Sequence, residues 1–440
     1  MAVAGAHRMG GHGRAVVEGL RTLHALRPGR RTGGWCRRCG RSIAPADRSH
    51  GGAAAACAES GLRTFGEAGF DGFAGPRGGA FEGRDSRRSC GTRDAAEAGR
   101  LAIAAGLVAV PTSAQLTAGE ASGLLEGCGA RVVALDPDLE LDVPDDVHVV
   151  TAETVDGWVA GDDRVEHDLG DPDRPAFITY TSGTTGRPKG VTHAHRSAWG
   201  RRPMYRGWYG LEEGDVMVHA GALNWTYTLG VGLTDPWANA ATAIVYDGPR
   251  DGQVWPRIVH EHKATHLAAV PGVYRHLLRH GDSGEWDLSS LRAALVAGEA
   301  LPSALWQEWV DATGVPLHES LGMSEISTFV STGPDVPVRP GSPGCAQPGR
   351  RIAVLDPERL DVPTPLGPGL AGRLAVHRDD PGLMLGYWER PEETAEVMRG
   401  EWFVTSDLAE IDADGYLTYL GRSDDVMNAM GYRVSPVEVE

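Results

Sequence analysis

Residues 180–190 read Tyr-Thr-Ser-Gly-Thr-Thr-Gly-Arg-Pro-Lys-Gly and directly follow the apolar run Ala176–Ile178. Three glycines, four Ser and Thr hydroxyls and one lysine stand in these eleven positions. Glycines let backbone N–H groups turn toward an anion, hydroxyls add donors, and the lysine adds a point charge. The spacing differs from the Gly-x4-Gly-Lys-Ser/Thr of a Walker A loop. The stretch predicts a loop that binds a polyphosphate, and the alternative is a flexible glycine-serine turn.

The bulk composition is that of a globular protein with two or more packed units. The chain has 440 residues, of which 41% are hydrophobic and 23% charged. The net charge of −17 argues against general affinity for nucleic acid or an anionic membrane. Neither a membrane-spanning run nor a signal peptide is visible, so we expect a cytoplasmic location. Lysine is nearly absent beside about forty arginines, which makes Lys189 stand out.

Residues 1–100 differ from the rest of the chain. They are rich in Arg, Gly and Ala, carry four of the six cysteines, and show little apolar periodicity. Such a composition favours disorder. Cys36 and Cys39 could form half of a zinc site, although no second pair follows at a suitable spacing. The other interpretations are a basic tail that binds nucleic acid and a frameshifted or misassigned start.

From about Leu101, predicted strands and helices alternate. Gly106–Val110 is typical of a buried strand, a capping box at Thr117–Glu120 opens a helix to about Gly127, and Ala130–Leu135 is the next strand. This alternation predicts βαβ units and a parallel sheet. It continues through strands at 176–180, 243–246, 266–270 and 293–297 and helices after 194 and at 255–262, 272–280 and 302–313. After about Arg350 the pattern becomes strand-rich, at 351–355 and 372–377.

Three further segments carry groups suited to a nucleotide. Ser320–Glu325 follows the apolar run Val315–Leu317 and places a hydroxyl beside a carboxylate, a pair that suits phosphate and Mg²⁺ or, alternatively, a helix cap. Thr405–Asp407 ends in an aspartate beyond a predicted strand, where a carboxylate can accept both ribose hydroxyls. Gly298–Ala300 is a turn from a strand to a helix.

Together these motifs, in this order over roughly 340 residues, resemble the adenylate-forming (AMP-binding) superfamily. That superfamily contains acyl- and aryl-CoA synthetases, luciferases and the adenylation domains of peptide synthetases. The resemblance implies an α/β fold, a large N-terminal domain of stacked βαβ sheets with a strand-rich subdomain. It also implies a small carboxylic acid as substrate and ATP, Mg²⁺ and coenzyme A as cofactors. The acid is activated to an acyl-adenylate, which a thiol then attacks.

The resemblance assigns a role to each matched residue. The implied nucleotide-binding residues are Thr181, Ser182, Gly183, Thr184, Thr185, Gly186, Lys189, Gly298, Glu299, Ser324, Asp407 and Arg422. The implied catalytic residues are Thr184, Lys189, Glu325 and Arg433, and Glu325 also holds Mg²⁺. Two positions depart from the family pattern: Leu321 replaces the usual aromatic residue, and Ser406 replaces the usual glycine.

The segment 221–246 looks most like that of medium-chain acyl-CoA synthetases. By this match Trp225 lies beside the substrate carboxylate, and Val270 and Gly322 complete the acyl pocket. The alternative for Trp225 is a packing role in the core. An apolar pocket lined by aromatic residues suits a medium-chain or aromatic acid.

The last residues resemble the hinge of the family. We expect an atypical segment at 1–100, an AMP-binding domain at 101–421, and the hinge and start of a C-terminal domain at 422–440, with Asp424 as pivot and Gly431 facing the pantetheine tunnel. A helix start is signalled at Ser435–Glu438, close to the end of the sequence. We therefore expect a fragment without the C-terminal catalytic lysine that adenylates poorly. The alternatives are a non-catalytic remnant that only binds nucleotide and an adenylation domain that loads a carrier protein.

Overall fold

The computed structural model divides the chain into two compact units. One comprises Met1–Arg8, Arg84–Ala160 and Glu166–Glu440, and the other comprises Met9–Gly83 and Gly161–Val165. The structure describes residues 2–4, 35–36, 41–42, 91–113, 116–135, 141–151, 153–155, 157, 167–181, 188–221, 226–246, 254–280, 287–423, 427–429 and 432–434. All but two short strands of the described part belong to the first unit, which carries every site discussed below.

The strands are numbered in chain order. They are β1 (Ala2–Ala4), β2 (Trp35–Cys36), β3 (Arg41–Ser42), β4 (Val108–Val110), β5 (Ala130–Ala134), β6 (His148–Val150), β7 (Pro175–Thr181), β8 (Lys189–Ala194), β9 (Val216–His219), β10 (Thr242–Ile244), β11 (His266–Ala269), β12 (Ala293–Val296), β13 (Leu317–Met323), β14 (Ser327–Ser331), β15 (Gly344–Ala346), β16 (Ile352–Leu355), β17 (Gly372–His377), β18 (Gly386–Tyr387), β19 (Met398–Arg399), β20 (Trp402–Ile411), β21 (Tyr416–Arg422), β22 (Met427–Ala429) and β23 (Tyr432–Val434).

The helices are numbered in the same way. They are α1 (Gly91–Ala104), α2 (Ala118–Cys128), α3 (Ser197–Gly200), α4 (Arg202–Met204), α5 (Thr226–Leu229), α6 (Asp235–Ala238), α7 (Val254–His262), α8 (Pro271–His280), α9 (Ser303–Thr313) and α10 (Pro391–Val397), with π-helical turns at Tyr205–Tyr209 and Gly230–Thr234. None of the helices in the described part of the chain combines the length and the apolar character needed to cross a membrane.

The first sheet has seven strands in the order β18-β8-β7-β4-β1-β5-β6. Two neighbouring pairs, β4–β7 and β5–β6, are parallel, whereas β7 and β8 form an antiparallel hairpin. The short strand β1 lies between β4 and β5, so a few residues of the atypical first hundred take part in this sheet. Its core holds Val108, Val110, Leu125, Val133 and Ile178, all buried.

The second sheet has twelve strands, of which eleven follow one path that changes from parallel to antiparallel pairing, and β19 pairs with β20 beside it. The strands β10-β9-β11-β12-β13 run parallel, with α7 and α8 among their connections. The whole of β11 and β12 is buried, as expected for parallel strands covered on both faces. From β13 onward the order β13-β14-β15-β21-β20-β17-β16 is antiparallel. The predicted α/β fold with a strand-rich second part is confirmed.

Local sequence signals explain several boundaries. Thr117 caps α2: its Oγ1 accepts from the Glu120 N–H at 3.4 Å, and Glu120 Oε2 accepts from the Thr117 N–H at 2.8 Å. The helix ends before Gly129, which adopts a φ of 62°. The predicted capping box is thereby confirmed, and the predicted end of the helix near Gly127 agrees to within a residue. The helix signal at Ser435–Glu438 lies outside the described residues.

Candidate active site

The predicted phosphate loop joins the two strands of the β7–β8 hairpin. Thr181, the last residue of β7, pairs with Lys189, the first residue of β8. Gly190 follows in the tight space between the strands, where an added Cβ would lie 2.9 Å from the Ile178 side chain and 3.1 Å from Trp388 Cβ. Five predicted phosphate-binding residues lie outside the described residues: Ser182, Gly183, Thr184, Thr185 and Gly186.

The side chain of Lys189 reaches the first turn of α10. Its Nζ lies 2.7 Å from Glu393 Oε2 and 5.2 Å from the centre of the Tyr387 ring. The second oxygen of Glu393 accepts from Arg390 Nη1 at 2.8 Å. Hydrogen bonds from Lys189 and then Arg390 lower the pKa of Glu393 below its ordinary value. Glu393 is therefore an anion at neutral pH, placed beside the only described cation of the predicted phosphate loop.

Glu325 lies in the three-residue turn between β13 and β14. Its Oε1 accepts a hydrogen bond from the Tyr387 hydroxyl at 2.8 Å. Burial raises the pKa of Glu325, and the negative charge of Asp407 raises it further, whereas the Tyr387 hydrogen bond and the charge of Arg422 lower it. A carboxylate that is short of positive charge in a half-buried turn gains electrostatic stabilisation from a divalent cation.

Long-range contacts hold this turn from several sides. His193 Nε2 donates to the Ser324 carbonyl at 2.7 Å, and the Met384 N–H donates to the Glu325 carbonyl at 2.8 Å. Arg201 Nη1 donates to Ser327 Oγ at 2.5 Å. Ser327 has a φ of 73°, a conformation that costs energy for a residue with a Cβ and persists where its surroundings fix it.

The two side chains that support the turn from below are themselves buried. Burial lowers the pKa of His193 to about 4, so its imidazole is neutral at pH 7. The His193 ring stacks on Phe177 with 4.7 Å between the ring centres. Arg201 forms a two-pronged ion pair with Asp235, with 2.7 Å between Nε and Oδ1 and 2.7 Å between Nη2 and Oδ2. Sequence analysis missed both residues, because nothing in the spacing indicates contacts more than 120 positions away.

Asp407 and Arg422 face each other across two paired strands. They are direct partners in the β20–β21 register, and both side chains are half-buried. The Tyr419 hydroxyl lies 3.2 Å from Asp407 Oδ1. The prediction that Asp407 lies beyond the end of a strand is wrong: it lies within β20, which continues past a register shift at Leu408 to pair further with β21. A carboxylate and a guanidinium side by side suit the hydroxyls of a ribose.

Tyr387 connects these groups. Its hydroxyl contacts Glu325 and its ring lies under Lys189. Burial raises its pKa above the ordinary value, Glu325 raises it further, and Arg422 acts in the opposite direction. Two predicted residues, Lys189 and Glu325, thus contact one tyrosine that sequence analysis did not select, and Arg422, the strand partner of Asp407, is near enough to influence its pKa. The Gly-Tyr pair of β18 is too common a dipeptide to indicate this position.

The predicted adenine turn lies at the carboxyl end of β12. Gly298 and Glu299 are exposed, and Gly298 has a φ of 95° that favours glycine. Val296, the last residue of β12, pairs with Glu319 of the neighbouring parallel strand β13. Glu319 Oε1 accepts from the Leu301 N–H at 3.0 Å and so supports the turn from beneath.

The predicted acyl pocket is described in part. Gly322 lies within β13 rather than after it, at a register shift where an added Cβ would be 2.6 Å from the Ser327 carbonyl oxygen. Val270 is half-buried directly after β11. Trp225 lies outside the described residues. The next aromatic, Tyr227, is buried, donates to the Ala269 carbonyl at 3.1 Å and meets the His219 ring edge-on at 4.5 Å.

The predicted hinge and CoA residues are barely described. Asp424 and Gly431 lie outside the described residues. Arg433 belongs to β23, where it pairs with Asn428 of β22. Their roles stay predictions.

The donors at the predicted metal site fit a nucleotide-bound Mg²⁺. Within the described part of the chain, no three or more His, Cys, Asp or Glu residues are grouped to hold a metal ion. Mg²⁺ in nucleotide sites uses one or two carboxylates and takes its other ligands from phosphates and water. Glu325, a single carboxylate near the predicted phosphate loop, is consistent with that arrangement.

A glycine-rich sequence between two paired strands, a lysine and two acidic residues in an α/β fold are features of nucleotide-binding enzymes. The AMP-binding enzyme family matches residues 101–388, and the chain belongs to this family. The resemblance found in the sequence is thereby confirmed. ATP, Mg²⁺ and coenzyme A, the cofactors predicted from the sequence, are those used by the AMP-forming CoA ligases of this family.

Three relatives are informative. The chain is 32% identical over 354 residues to the 3-hydroxybenzoate–CoA ligase of Aromatoleum sp. (strain CIB). This match covers 77% of this chain and 67% of that protein. It is 34% identical over 276 residues to the mitochondrial acyl-coenzyme A synthetase ACSM5 of Homo sapiens, a match that covers 60% of this chain and 46% of that protein. The anthranilate CoA ligase AuaEII in complex with anthranoyl-AMP superposes with a TM-score of 0.69 at 28% identity, covering 79% of this chain and 74% of that one. The chain spans about half to two thirds of the length of these curated relatives.

Proposed function

We propose that the chain belongs to an AMP-forming ligase that activates an aromatic carboxylic acid with ATP and transfers the acyl group to coenzyme A. The observation that carries this proposal is that Lys189 and Glu325 meet at Tyr387, while the paired residues Asp407 and Arg422 are near enough to Glu325 to influence its pKa. Lys189 is a cation that can bind phosphate, Glu325 is a carboxylate that can bind a metal ion, and Asp407 with Arg422 can bind ribose hydroxyls. A bound ATP requires all three kinds of contact. The aromatic acid and coenzyme A are proposed from the names of the relatives.

The proposed chemistry has two group transfers. A carboxylate oxygen of the acid attacks the α-phosphorus of ATP, the bond to pyrophosphate breaks, and the acyl-adenylate forms. The thiolate of coenzyme A then attacks the acyl carbon, and AMP leaves with the electron pair of the broken bond. Bound Mg²⁺ offsets negative charge on the phosphates.

The residues of this chain have separate tasks in that scheme. Lys189 contacts the phosphates, Asp407 accepts hydrogen bonds from the ribose hydroxyls, and Arg422 lies beside it. His193 and Arg201 do not contact ATP in this scheme. They fix the turn that carries Glu325, and such preorganisation matters because a charge contact acts only if it is in place as charge develops.

An aromatic acid is favoured over a medium-chain acid. The 3-hydroxybenzoate ligase covers 77% of this chain, whereas the acyl-coenzyme A synthetase covers 60%. A carrier protein instead of coenzyme A remains the second candidate for the acceptor, since it would use the same residues.

Mass spectrometry of single-turnover mixtures tests the proposal. The protein, in excess over MgATP, is offered benzoate, 3-hydroxybenzoate, octanoate or an amino acid, and the acyl-adenylate and, with coenzyme A, the thioester are measured. We expect adenylates of the aromatic acids to form fastest and to yield thioesters. A preference for an amino acid without thioester formation would contradict the proposal.

Calorimetry with MgATP separates the ribose site from the rest. We expect Asp407→Ala to weaken binding about tenfold or more, the effect of losing a hydrogen bond to a charged group. Asp361→Ala is the matched control, because it removes an exposed carboxylate from the loop between β16 and β17. Equal binding by both variants would remove Asp407 from the ribose site.

A further inference from the structure

The ion pair between Lys189 and Glu393 joins the predicted phosphate loop to a segment two hundred residues further along the chain. Lys189 Nζ lies 2.7 Å from Glu393 Oε2, and Arg390 Nη1 donates to the other oxygen at 2.8 Å. Arg390 also donates through Nη2 to the carbonyl of Pro188, at 3.3 Å. One carboxylate thus contacts two cations, and one of them also binds the backbone of the loop.

Backbone hydrogen bonds fix the position of Glu393. Residues 386–387 form the edge strand β18, which pairs with Thr192 and Val191 of β8. The Trp388 N–H donates to the Gly190 carbonyl at 2.7 Å. Thr394 Oγ1 accepts from the Tyr387 N–H at 2.9 Å and donates to the Arg390 carbonyl at 2.8 Å. The position of the carboxylate near Lys189 therefore follows from the main chain on both sides of it.

The two side chains of the pair are partly exposed, while Glu393 Oε2 itself is buried against Lys189. The side chains of Lys189 and Glu393 are 20% and 30% exposed. Ion pairs that are partly in water contribute little to stability, so they separate at low cost. A polyanion that approaches Lys189 can displace the carboxylate, but it must overcome both the existing pair and the repulsion from Glu393.

We propose that Glu393 is a counter-ion that competes with the nucleotide for Lys189, and that Arg390 positions it. The proposal rests on the proposed function only for the identity of the anion, an ATP or pyrophosphate phosphate. Glu393 weakens the binding of ATP and of pyrophosphate, and so shortens the time that pyrophosphate remains bound. Arg390 has the opposite effect on affinity, because its guanidinium offsets part of the charge of Glu393.

Nucleotide affinity gives the first test. At low salt Glu393→Gln is expected to tighten MgATP and pyrophosphate binding about two- to fivefold, within the range of partly exposed ion pairs. Arg390→Gln is expected to weaken both, and high salt is expected to shrink both effects because it screens the charges. Glu392→Gln is the matched control: it removes the same charge from the exposed neighbouring residue of α10. An equal gain in affinity from Glu392→Gln would show a general charge effect and overturn the proposal.

The lysine count allows a second test that does not depend on nucleotide. The chain has two lysines, Lys189 and Lys263. The Lys263 side chain is 63% exposed and serves as an internal reference. Acetylation by sulfosuccinimidyl acetate, an anionic reagent that Glu393 would repel, is followed at both lysines by peptide mass spectrometry. We expect Glu393→Gln to speed acetylation of Lys189 severalfold relative to Lys263, and Glu392→Gln to leave the ratio unchanged.

The combined outcomes of the two tests distinguish a failure of the ion pair from a failure of the competition and from a failure of the proposed function. An unchanged Lys189 ratio in Glu393→Gln would overturn the ion pair and with it this proposal. A faster Lys189 reaction with unaltered nucleotide affinity would overturn the competition. A faster Lys189 reaction in a protein that binds no MgATP at all would contradict the proposed function and leave Glu393 as the counter-ion of a lysine with another anion.

Discussion

The β7–β8 and β13–β14 hairpins each carry one charged residue of the proposed ATP site, but they hold it in opposite ways. Lys189 begins β8 and is held by an ion pair whose side chains are 20% and 30% exposed. Glu325 lies in a turn supported by His193, which is 2% exposed, and by Arg201, whose side chain is 12% exposed. The cation can move between partners at low cost, whereas the carboxylate is fixed in place.

This difference matches the two tasks. A lysine that follows phosphates from ATP to pyrophosphate benefits from a weak, reversible partner. A carboxylate that holds a metal ion must keep one geometry, since a displacement of about 1 Å in a positioned group can cost about a hundredfold in rate. Tyr387 contacts both groups, and His193 of β8 also links the two hairpins directly through the Ser324 carbonyl.

The largest expected effect is the loss of the fixed charge. Glu325→Gln is expected to slow acyl-adenylate formation about 10² to 10³-fold, the typical cost of removing one preorganised charge contact. The fold is expected to persist, because the amide oxygen can still accept from Tyr387. Rates measured with saturating ATP and circular dichroism of the same sample check both statements. A rate near that of the wild type would mean that another group holds the metal.

Breaking the buried support of the turn is expected to cost about 3 to 5 kcal/mol of unfolding free energy. Asp235→Asn leaves the guanidinium of Arg201 without its anion in a buried position, and denaturant unfolding measures the loss. The double variant Arg201→Met, Asp235→Leu is expected to be more stable than Asp235→Asn, because it buries no unpaired charge. By comparison, Glu393→Gln is expected to change stability by at most about 1 kcal/mol. Similar losses in Asp235→Asn and Glu393→Gln would abolish the contrast between the hairpins.

Removing the hydroxyl of Tyr387 is expected to lower kcat/KM about tenfold, the lower range for losing a hydrogen bond to a charged group. Tyr387→Phe keeps the ring under Lys189 and removes the donor to Glu325. Since that hydrogen bond lowers the pKa of Glu325, its loss is expected to move the acidic limb of the kcat/KM profile to higher pH. An unmoved limb with a lower rate would mean that the hydroxyl acts elsewhere.

The last expected effect, confined to acidic pH, is a pH dependence of stability from His193. Burial lowers its pKa to about 4, below the ordinary 6.5 of an unfolded chain. Between these values the unfolded state binds the proton and the folded state does not, so stability is lost as pH falls from 6.5 toward 4. The slope is at most about 1.4 kcal/mol per pH unit for one proton. His193→Gln keeps a donor for the Ser324 carbonyl, and the difference between its unfolding free energy and that of the wild type is expected to be steep only in this window.

The sequence predicted what is local. The capping box at Thr117, the strand Gly372–His377 and the change from parallel to strand-rich structure follow from short-range periodicity and turn chemistry, and the structure has them. Lys189 stood out as the lysine of a glycine-rich loop in a lysine-poor chain, and Glu325 and Asp407 stood out because each follows an apolar run and matches the family pattern. Their spatial relation to one another and to Tyr387 could not be predicted, since no spacing rule relates positions 189, 325, 387 and 407.

The errors have the same origin. Strand ends were placed where apolar runs stop, but β13 continues through Gly322 to Met323 and β20 continues through Asp407 to Ile411. In both cases a neighbouring strand supplies hydrogen bonds to polar residues, and that pairing depends on the sheet rather than on the segment. His193 and Arg201 were missed because buried histidine and arginine owe their position to partners far along the chain.

The decisive measurement for the proposed ATP site is acyl-adenylate formation from 3-hydroxybenzoate and MgATP under single-turnover conditions, with the wild type, Glu325→Gln and Asp361→Ala side by side. We expect 3-hydroxybenzoyl-AMP and pyrophosphate in equal amounts with the wild type and Asp361→Ala, and a rate lower by about 10² or more with Glu325→Gln. No adenylate from any acid with the wild type, or equal rates in the wild type and Glu325→Gln, would contradict it.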